Sequence, residues 1–547
     1  MRFDTGSLRL NRAAAATAAL TIALILSHGA SAGTSICPRP AASTEVLPPP
    51  DLYSSNGTLD VALNYNTTVD EANRTLFCFQ TPDGTESPTF HVNPGDTINI
   101  DMTNTVPPVP AGPAEVDADR SKQCGNAAMT LSSSNMHFHG INTSPKCHSD
   151  EVIHTLVNSG ETFTYNIKVP KDEPPGLYWY HPHVHGVASA AVQGGASGVI
   201  VVEGIENIQP AVAGLAQRIL IVRDQPLLNG AALKGPPEPN WDVSVNYVPV
   251  PYPNYPPAII NATQGTQEFW RVANASANTI LDLQVIYDGK AQPLQIVGLD
   301  GVPTGSQDGK RQGTIITDKH ILLAPAGRAE FIVTMPGKDV AQALFVTRAI
   351  DGGDAGDSNP ARPLAQIVAT DKPVRLARIP APSAPPNPQR FENLDKAKVT
   401  AERKLYFWEI GFPKKKKPEE QTLFFIVVDG QEAELYDPND PPAIVTHKGA
   451  VEDWTIENHT TEVHEFHMHQ IHFKLLEVNG VPVPKQRQQF YDTIQVPYWD
   501  GVSPTYPSVK VRMDFRGAVV GDFVYHCHIL DHEDGGMMAI IRVKPPK

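Results

Sequence analysis

Tyr525-His526-Cys527-His528-Ile529-Leu530-Asp531-His532-Glu533-Asp534-Gly535-Gly536-Met537, close to the C-terminus, is the stretch around which the rest of the chain is read. The residues before it, Asp522-Phe523-Val524-Tyr525 after Gly521, are aromatic and β-branched and predict a strand. Successive side chains on a strand point to opposite faces, so His526 and His528 look one way and Cys527 the other. Cys527, His532 and Met537 offer a thiolate, an imidazole and a thioether, soft donors suited to copper. Two His and one Cys in a plane, with a weak axial Met, form the blue-copper electron-transfer site. Only one such His is local, so the other must come from elsewhere. The His526/His528 pair faces away and requires a different metal. One strand therefore bridges two metal centres through the Cys527 backbone.

The missing donors lie in three further motifs: Met136-His137-Phe138-His139-Gly140, Tyr180-His181-Pro182-His183 and His464-Glu465-Phe466-His467-Met468-His469. With His526, His528 and His532 they bring the set to ten imidazoles, two for a blue copper and eight for a three-copper cluster. The motifs repeat internally. Gly176-x-x-x-Tyr180-His181-x-His183 recurs as Gly521-x-x-x-Tyr525-His526-x-His528, and His137-Phe138-His139 recurs as His467-Met468-His469. Two copies of one β unit, each giving four His, must hold a shared cluster between them.

These four motifs, in this order, resemble those of the multicopper oxidases, most closely the bacterial laccase-like three-domain members, from about residue 45 to the end. The resemblance implies an all-β fold of three consecutive cupredoxin-like Greek-key β-sandwich domains. It implies four Cu: one type 1, one type 2 and two type 3. By resemblance, His464, Cys527 and His532 hold the type 1 copper with Met537 axial. His137 and His467 hold the type 2 copper, and His139, His181, His183, His469, His526 and His528 hold the type 3 pair. Asp150 and Glu533 match acidic positions near the cluster and are candidate catalytic proton relays. Glu465 stands where many members carry Pro, and Gln470 where Gly is frequent.

Bulk properties agree with this reading. Fifty-one Pro and 40 Gly favour a turn-rich β protein. A net charge of −15 argues against nucleic acid and anionic membranes as partners. Arg2, Arg9 and Arg12 precede the apolar run 13–26, and Ala30-Ser31-Ala32 fits small-residue cleavage, so residues 1–32 read as a signal peptide. The expected location is secreted or periplasmic, with no membrane attachment after cleavage. Cys527 aside, four cysteines remain: Cys37, Cys78, Cys124 and Cys147. They suit an oxidising compartment, and three pairings are open.

The expected organisation is domain 1 at 45–205, a copper-free spacer at 206–375, a Pro-rich linker at 376–396 and domain 3 at 397–547. Lys414–Lys417 reads as a solvated loop tip. The expected function is one-electron oxidation of phenols or aromatic amines coupled to reduction of O2 to water. The alternatives are a metal oxidase acting on Cu(I), Fe(II) or Mn(II), and a non-catalytic copper-binding protein. No Met-rich insert is visible among the nine Met, which weakens the cuprous version.

Overall fold

Thr162–Lys168 shows how sequence becomes architecture: its residues alternate between exposed and buried along the whole strand, as required of a sheet with one face on a core. The computed structural model describes residues 36–109, 124–126, 128–228, 237–306, 313–384, 390–411, 422–517 and 519–546. The segment 1–32, expected to be a signal peptide, and the run Lys414–Lys417 lie outside these residues. The fold is nearly all-β, 45% strand and 5% helix.

Three pairs of sheets enclose three apolar cores. In the first, Thr75–Gln80, Thr58–Val69, Thr97–Asn104 and Thr162–Lys168 form one sheet. Asp51–Tyr53, Thr89–Val92, Gly198–Val202, Gly176–His181 and His137–His139 form the other. Ile98, Ile100 and Tyr165 meet Phe90, Phe138, Tyr180 and Ile200 between them. The middle sandwich packs Leu220, Trp270 and Phe331 of an eight-stranded sheet on Ile260, Leu283 and Phe345 of a six-stranded one. The last packs Leu405, Phe407, Trp454 and Val511 against Phe466, Met468, Phe523, Tyr525 and Ile541.

The internal repeat holds in register as well as in sequence. His137–His139 runs antiparallel to Gly176–His181 with His137 opposite His181. His464–Met468 runs antiparallel to Gly521–Cys527 with His467 opposite His526. A one-residue slip in either pair would turn His137, His139 and His181, or His467 and His526, into the core.

Cys37 bonds to Cys78 and Cys124 to Cys147. The second bridge closes a 23-residue separation around the His137/His139 motif, worth about 3 kcal/mol by loop-closure entropy. The proline run at 376–396 is anchored at both ends. Ile379 exchanges backbone hydrogen bonds with Gly214 and Leu215, while Phe391 and Leu394 pack on Val451 and Phe490.

His91 clamps the short Asp51–Tyr53 strand to its sheet. Its Nδ1 lies 2.6 Å from Glu203 and its Nε2 3.0 Å from Asp51, and Tyr53 stacks on the ring at 4.4 Å. Burial pulls the imidazole pKa down, but the hydrogen bonds to Asp51 and Glu203 outweigh it and raise it. A raised folded-state pKa stabilises fully below the unfolded value and loses that contribution as pH rises through the folded value. His91→Leu is therefore expected to lower the melting temperature at pH 5.5, with the deficit narrowing above pH 8. A pH-independent deficit in parallel melting curves would contradict the charged clamp.

Candidate metal centres

Strand parity sorts the donors. Along Gly521–Cys527, Phe523, Tyr525 and Cys527 enter the core of the last sandwich, which turns His526 to the other face. Along His464–Met468, Phe466 and Met468 enter the same core. His464 shares their parity and meets Cys527, whereas His467 faces His526. In the first sandwich Phe138 is core, so His137 and His139 point away from it.

The core-side group is compact. Cys527 Sγ lies 3.6 Å from His464 Nδ1 and 3.7 Å from His532 Nδ1, and the two ring nitrogens are 3.1 Å apart. The Glu465 N–H donates to the sulfur at 3.4 Å. Burial pushes the Cys527 thiol up and holds His532 down at about 3. A bound cation would reverse the first effect, because a coordinating thiol is deprotonated outright. Met537 is fully buried in the same core, and its carbonyl accepts from the Cys527 N–H at 3.1 Å. His532 alone among the ten imidazoles keeps an exposed edge, 8% against 2% or less for the others.

The other eight imidazoles meet where the first and last sandwiches face each other. Rings 183, 469 and 526 form a triangle with centroid spacings of 4.7, 5.0 and 5.2 Å. Rings 139, 181 and 528 form a second, spaced 5.0, 5.6 and 5.9 Å. His137 and His467, at 6.0 Å, complete the set. Burial is the leading cause that holds His139, His181, His183, His467, His469 and His528 far below their usual pKa, in the neutral form that binds metal.

The second nitrogen of several rings is already committed. Nδ1 of His181, His467 and His526 is bonded to the carbonyls of Pro182, Asp492 and Cys527 at 2.9, 2.8 and 2.9 Å. His137 Nε2, His139 Nδ1, His181 Nε2 and His467 Nε2 have no partner although buried. Buried nitrogens left bare among oriented rings are the arrangement a metal cluster needs. Imidazole and thiolate donors of this kind fit copper.

Asp150 and Glu533 fall into different settings. Asp150 lies 2.9 Å from His137 Nδ1 and accepts from the Phe138 N–H and the Gln470 amide at 3.0 and 2.6 Å, so it orients a ring. Glu533 is fully buried, both its oxygens lack partners, and it lies 3.9 Å from His183 Nδ1. Burial first, and then Asp534, push it far above the usual carboxylate range. Glu465 is also buried, bonded to Gln495 at 2.9 Å and pushed up to about 8 by burial.

Sequence reasoning missed three contributors. Asp492, outside every histidine motif, touches His139 Nε2 at 3.1 Å. Arg328, from the sandwich read as a spacer, grips Asp492. The segment 350–357 lies beside the core-side group: the Val463 N–H donates to Gly352 at 2.9 Å and the Tyr498 hydroxyl to Asp351 at 2.9 Å. Gly353 has φ +92, and a Cβ there would meet the Thr461 carbonyl, so only Gly permits this approach.

Comparison with known proteins agrees with this geometry. Two multicopper oxidase family models match residues 126–207 and 412–547. A multicopper oxidase of Staphylococcus haemolyticus is 35% identical over 71 residues, 13% of this chain and 14% of the relative's length. The McoA multicopper oxidase of Aquifex aeolicus superposes with a TM-score of 0.64 at 20% identity, covering 91% of this chain and 99% of its own. A Campylobacter jejuni multicopper oxidase described as a metallo-oxidase gives 0.63 at 20%, over 92% and 96%. A laccase-like multicopper oxidase of Ochrobactrum sp. gives 0.61 at 16%, over 91% and 100%. These structural likenesses establish the shared cupredoxin-like fold. The two segments that carry the histidine motifs are thus the ones that match multicopper oxidase family models, and the chain spans about one seventh of the length of the curated relatives it matches.

Proposed function

We propose that this chain is a laccase-like oxidase, coupling one-electron oxidation of phenols or aromatic amines to four-electron reduction of O2 to water. The observation that carries the reading is the continuity of Cys527 with His526 and His528. The core-side donor is joined by one peptide bond on each side to the eight-imidazole group. Copper, when bound, takes single electrons from the reductant and supplies the reducing equivalents for O2. His464, Cys527 and His532, with Met537, would hold the type 1 ion. His137 and His467 would hold the type 2 ion, and the two triangles of rings the type 3 pair.

The chain's own residues do the rest. The exposed edge of His532, with Phe424 stacked on it at 4.3 Å, supports approach of a flat aromatic donor there rather than at the fully buried His464. Asp150 keeps the His137 Nδ1 proton in place, leaving Nε2 free. Glu533 holds a proton on an unpartnered carboxyl beside the His183 ring and can release it toward reduced oxygen. The apolar cores on either side keep water from the donor groups. The two disulfides support export to a secreted or periplasmic location. Among the described residues no helix is long and apolar enough to cross a membrane.

A second reading, oxidation of Cu(I), Fe(II) or Mn(II), draws on Glu462, whose Oε1 lies 3.5 Å from His532 Nε2. Burial and the neighbouring Glu409 raise Glu462 to about 10, and a cation docking there would displace its proton. Oxygen uptake by copper-loaded protein, measured with a phenol and with each ion in parallel, separates the two. Uptake with the phenol supports the laccase-like reading, and uptake with an ion alone supports the second. A sample with full copper and no uptake from any donor would leave a copper-binding role without catalysis.

A further inference from the structure

Arg328 belongs to the middle sandwich, which carries none of the ten ligand candidates, yet its guanidinium ends at the imidazole cluster. Nη1 and Nη2 donate to the two oxygens of Asp492 at 2.8 and 2.5 Å. Nε donates to the Leu177 carbonyl at 3.1 Å and Nη1 also to the Ala326 carbonyl at 3.0 Å. Asp300, from the same sandwich, accepts from the Arg328 N–H at 2.8 Å and from the Asp492 N–H at 3.2 Å. Arg328 and Asp492 are fully buried.

Asp492 then acts on two rings. Its Oδ1 lies 3.1 Å from His139 Nε2, and its carbonyl 2.8 Å from His467 Nδ1. The nitrogens opposite, His139 Nδ1 and His467 Nε2, are among the buried atoms without partners. One residue thus selects the tautomer of a histidine from each outer sandwich and leaves the ligating atom free in both. Such hydrogen bonds orient ligands and raise their basicity. The neighbouring glycine has been shaped by this pair. Gly140 has φ +87, and a Cβ there would stand 2.6 Å from both Arg328 Nη2 and Asp492 Oδ2.

A buried ion pair is weak as glue, because desolvation of both charges cancels most of their attraction. The same strand pair supplies a comparison. Arg271 and Glu330 face each other in register and form a fully buried ion pair, but among the described residues their hydrogen-bond partners beyond each other are Gln217 and the Leu177 N–H, not a histidine. We propose that Arg328 is a positioning residue for the trinuclear copper cluster: by holding Asp492 in place, the middle sandwich presets His139 and His467 for metal. This rests on the ligand reading above, but its test reads metal retention rather than oxidase activity.

Copper per chain would be measured after graded chelator challenge of holoenzyme, for wild type, Arg328→Met, Arg328→Lys and the Arg271→Met/Glu330→Met control. Arg328→Met is expected to lose cluster copper at about 10–100-fold lower chelator concentration while keeping the blue absorption of the Cys527 site. Arg328→Lys, which keeps the charge but not the fork, should fall between. The control should shift melting temperature and leave copper retention unchanged. Equal retention in Arg328→Met and the control would overturn the proposal, as would copper loss confined to the Cys527 site. Should Arg328→Met not fold, Arg328→Lys matching wild type in retention would overturn it alone. Failure of wild type to oxidise any phenol would count against the proposed activity and not against this inference.

Discussion

Cys527→Ser is expected to remove the visible copper–thiolate absorption together with turnover. Among the described residues Cys527 is the only free cysteine, and its Sγ stands within 3.7 Å of both imidazoles. A serine hydroxyl is a hard donor that stays protonated and cannot carry thiolate covalency. The same side chain lies on the peptide segment linking the two donor groups, so electrons reaching His532 lose their route to His526 and His528. Oxygen uptake should fall by roughly a thousandfold or more, the scale on which removal of one indispensable group acts. The cluster copper should remain, since the eight imidazoles face the other way from Cys527. Visible absorption, copper per chain and oxygen uptake on one preparation check this. A blue Cys527→Ser protein would refute the assignment of the thiolate, and a colourless but fully active one would refute the electron route.

Glu533→Gln should separate electron arrival from oxygen reduction. Glu533 carries a carboxyl with two oxygens that lack hydrogen-bond partners at full burial beside His183, and burial first, then Asp534, push it far above the usual carboxylate range. Glutamine has nearly the same shape but no acidic proton to give. Loss of a positioned proton donor costs about 10²–10⁴-fold, so turnover with a saturating reductant should drop by that amount. Anaerobic bleaching of the blue colour by the same reductant should keep its rate, because that step needs no proton from Glu533. Turnover within about twofold of wild type would remove Glu533 from the proton path. Asp150→Asn differs in kind, because Asp150 is already held by three donors. Its loss should loosen His137 rather than withhold a proton.

Alternation along single strands made much of this legible. The pattern His-x-His beside Tyr-His, present twice, was enough to predict two similar β units and a cluster between them, and the structure sets both pairs in the same register. The opposite facing of Cys527 and His526 needs only the two-residue period of a strand, and it is what the core contacts show. Met468 between two histidines reads as core for the same reason and is core.

What the sequence did not disclose shares one physical feature: contact between segments far apart in the chain. Arg328 and Asp492 are separated by 164 residues, and neither stands in a histidine motif. Their meeting follows from how three sandwiches dock, for which no local period exists. The same holds for Gly352 against Val463, the pairing of four cysteines with three open combinations, and the choice of His532 over His464 as the less deeply buried ring. The sequence alone determined the candidate donors, their division between two faces and the β class, because these follow from covalent order and strand geometry. Only the tertiary structure decided which ring nitrogens lack partners, which carboxylate orients an imidazole and which is buried without hydrogen bonds. Those properties depend on burial and on partners brought in from other domains.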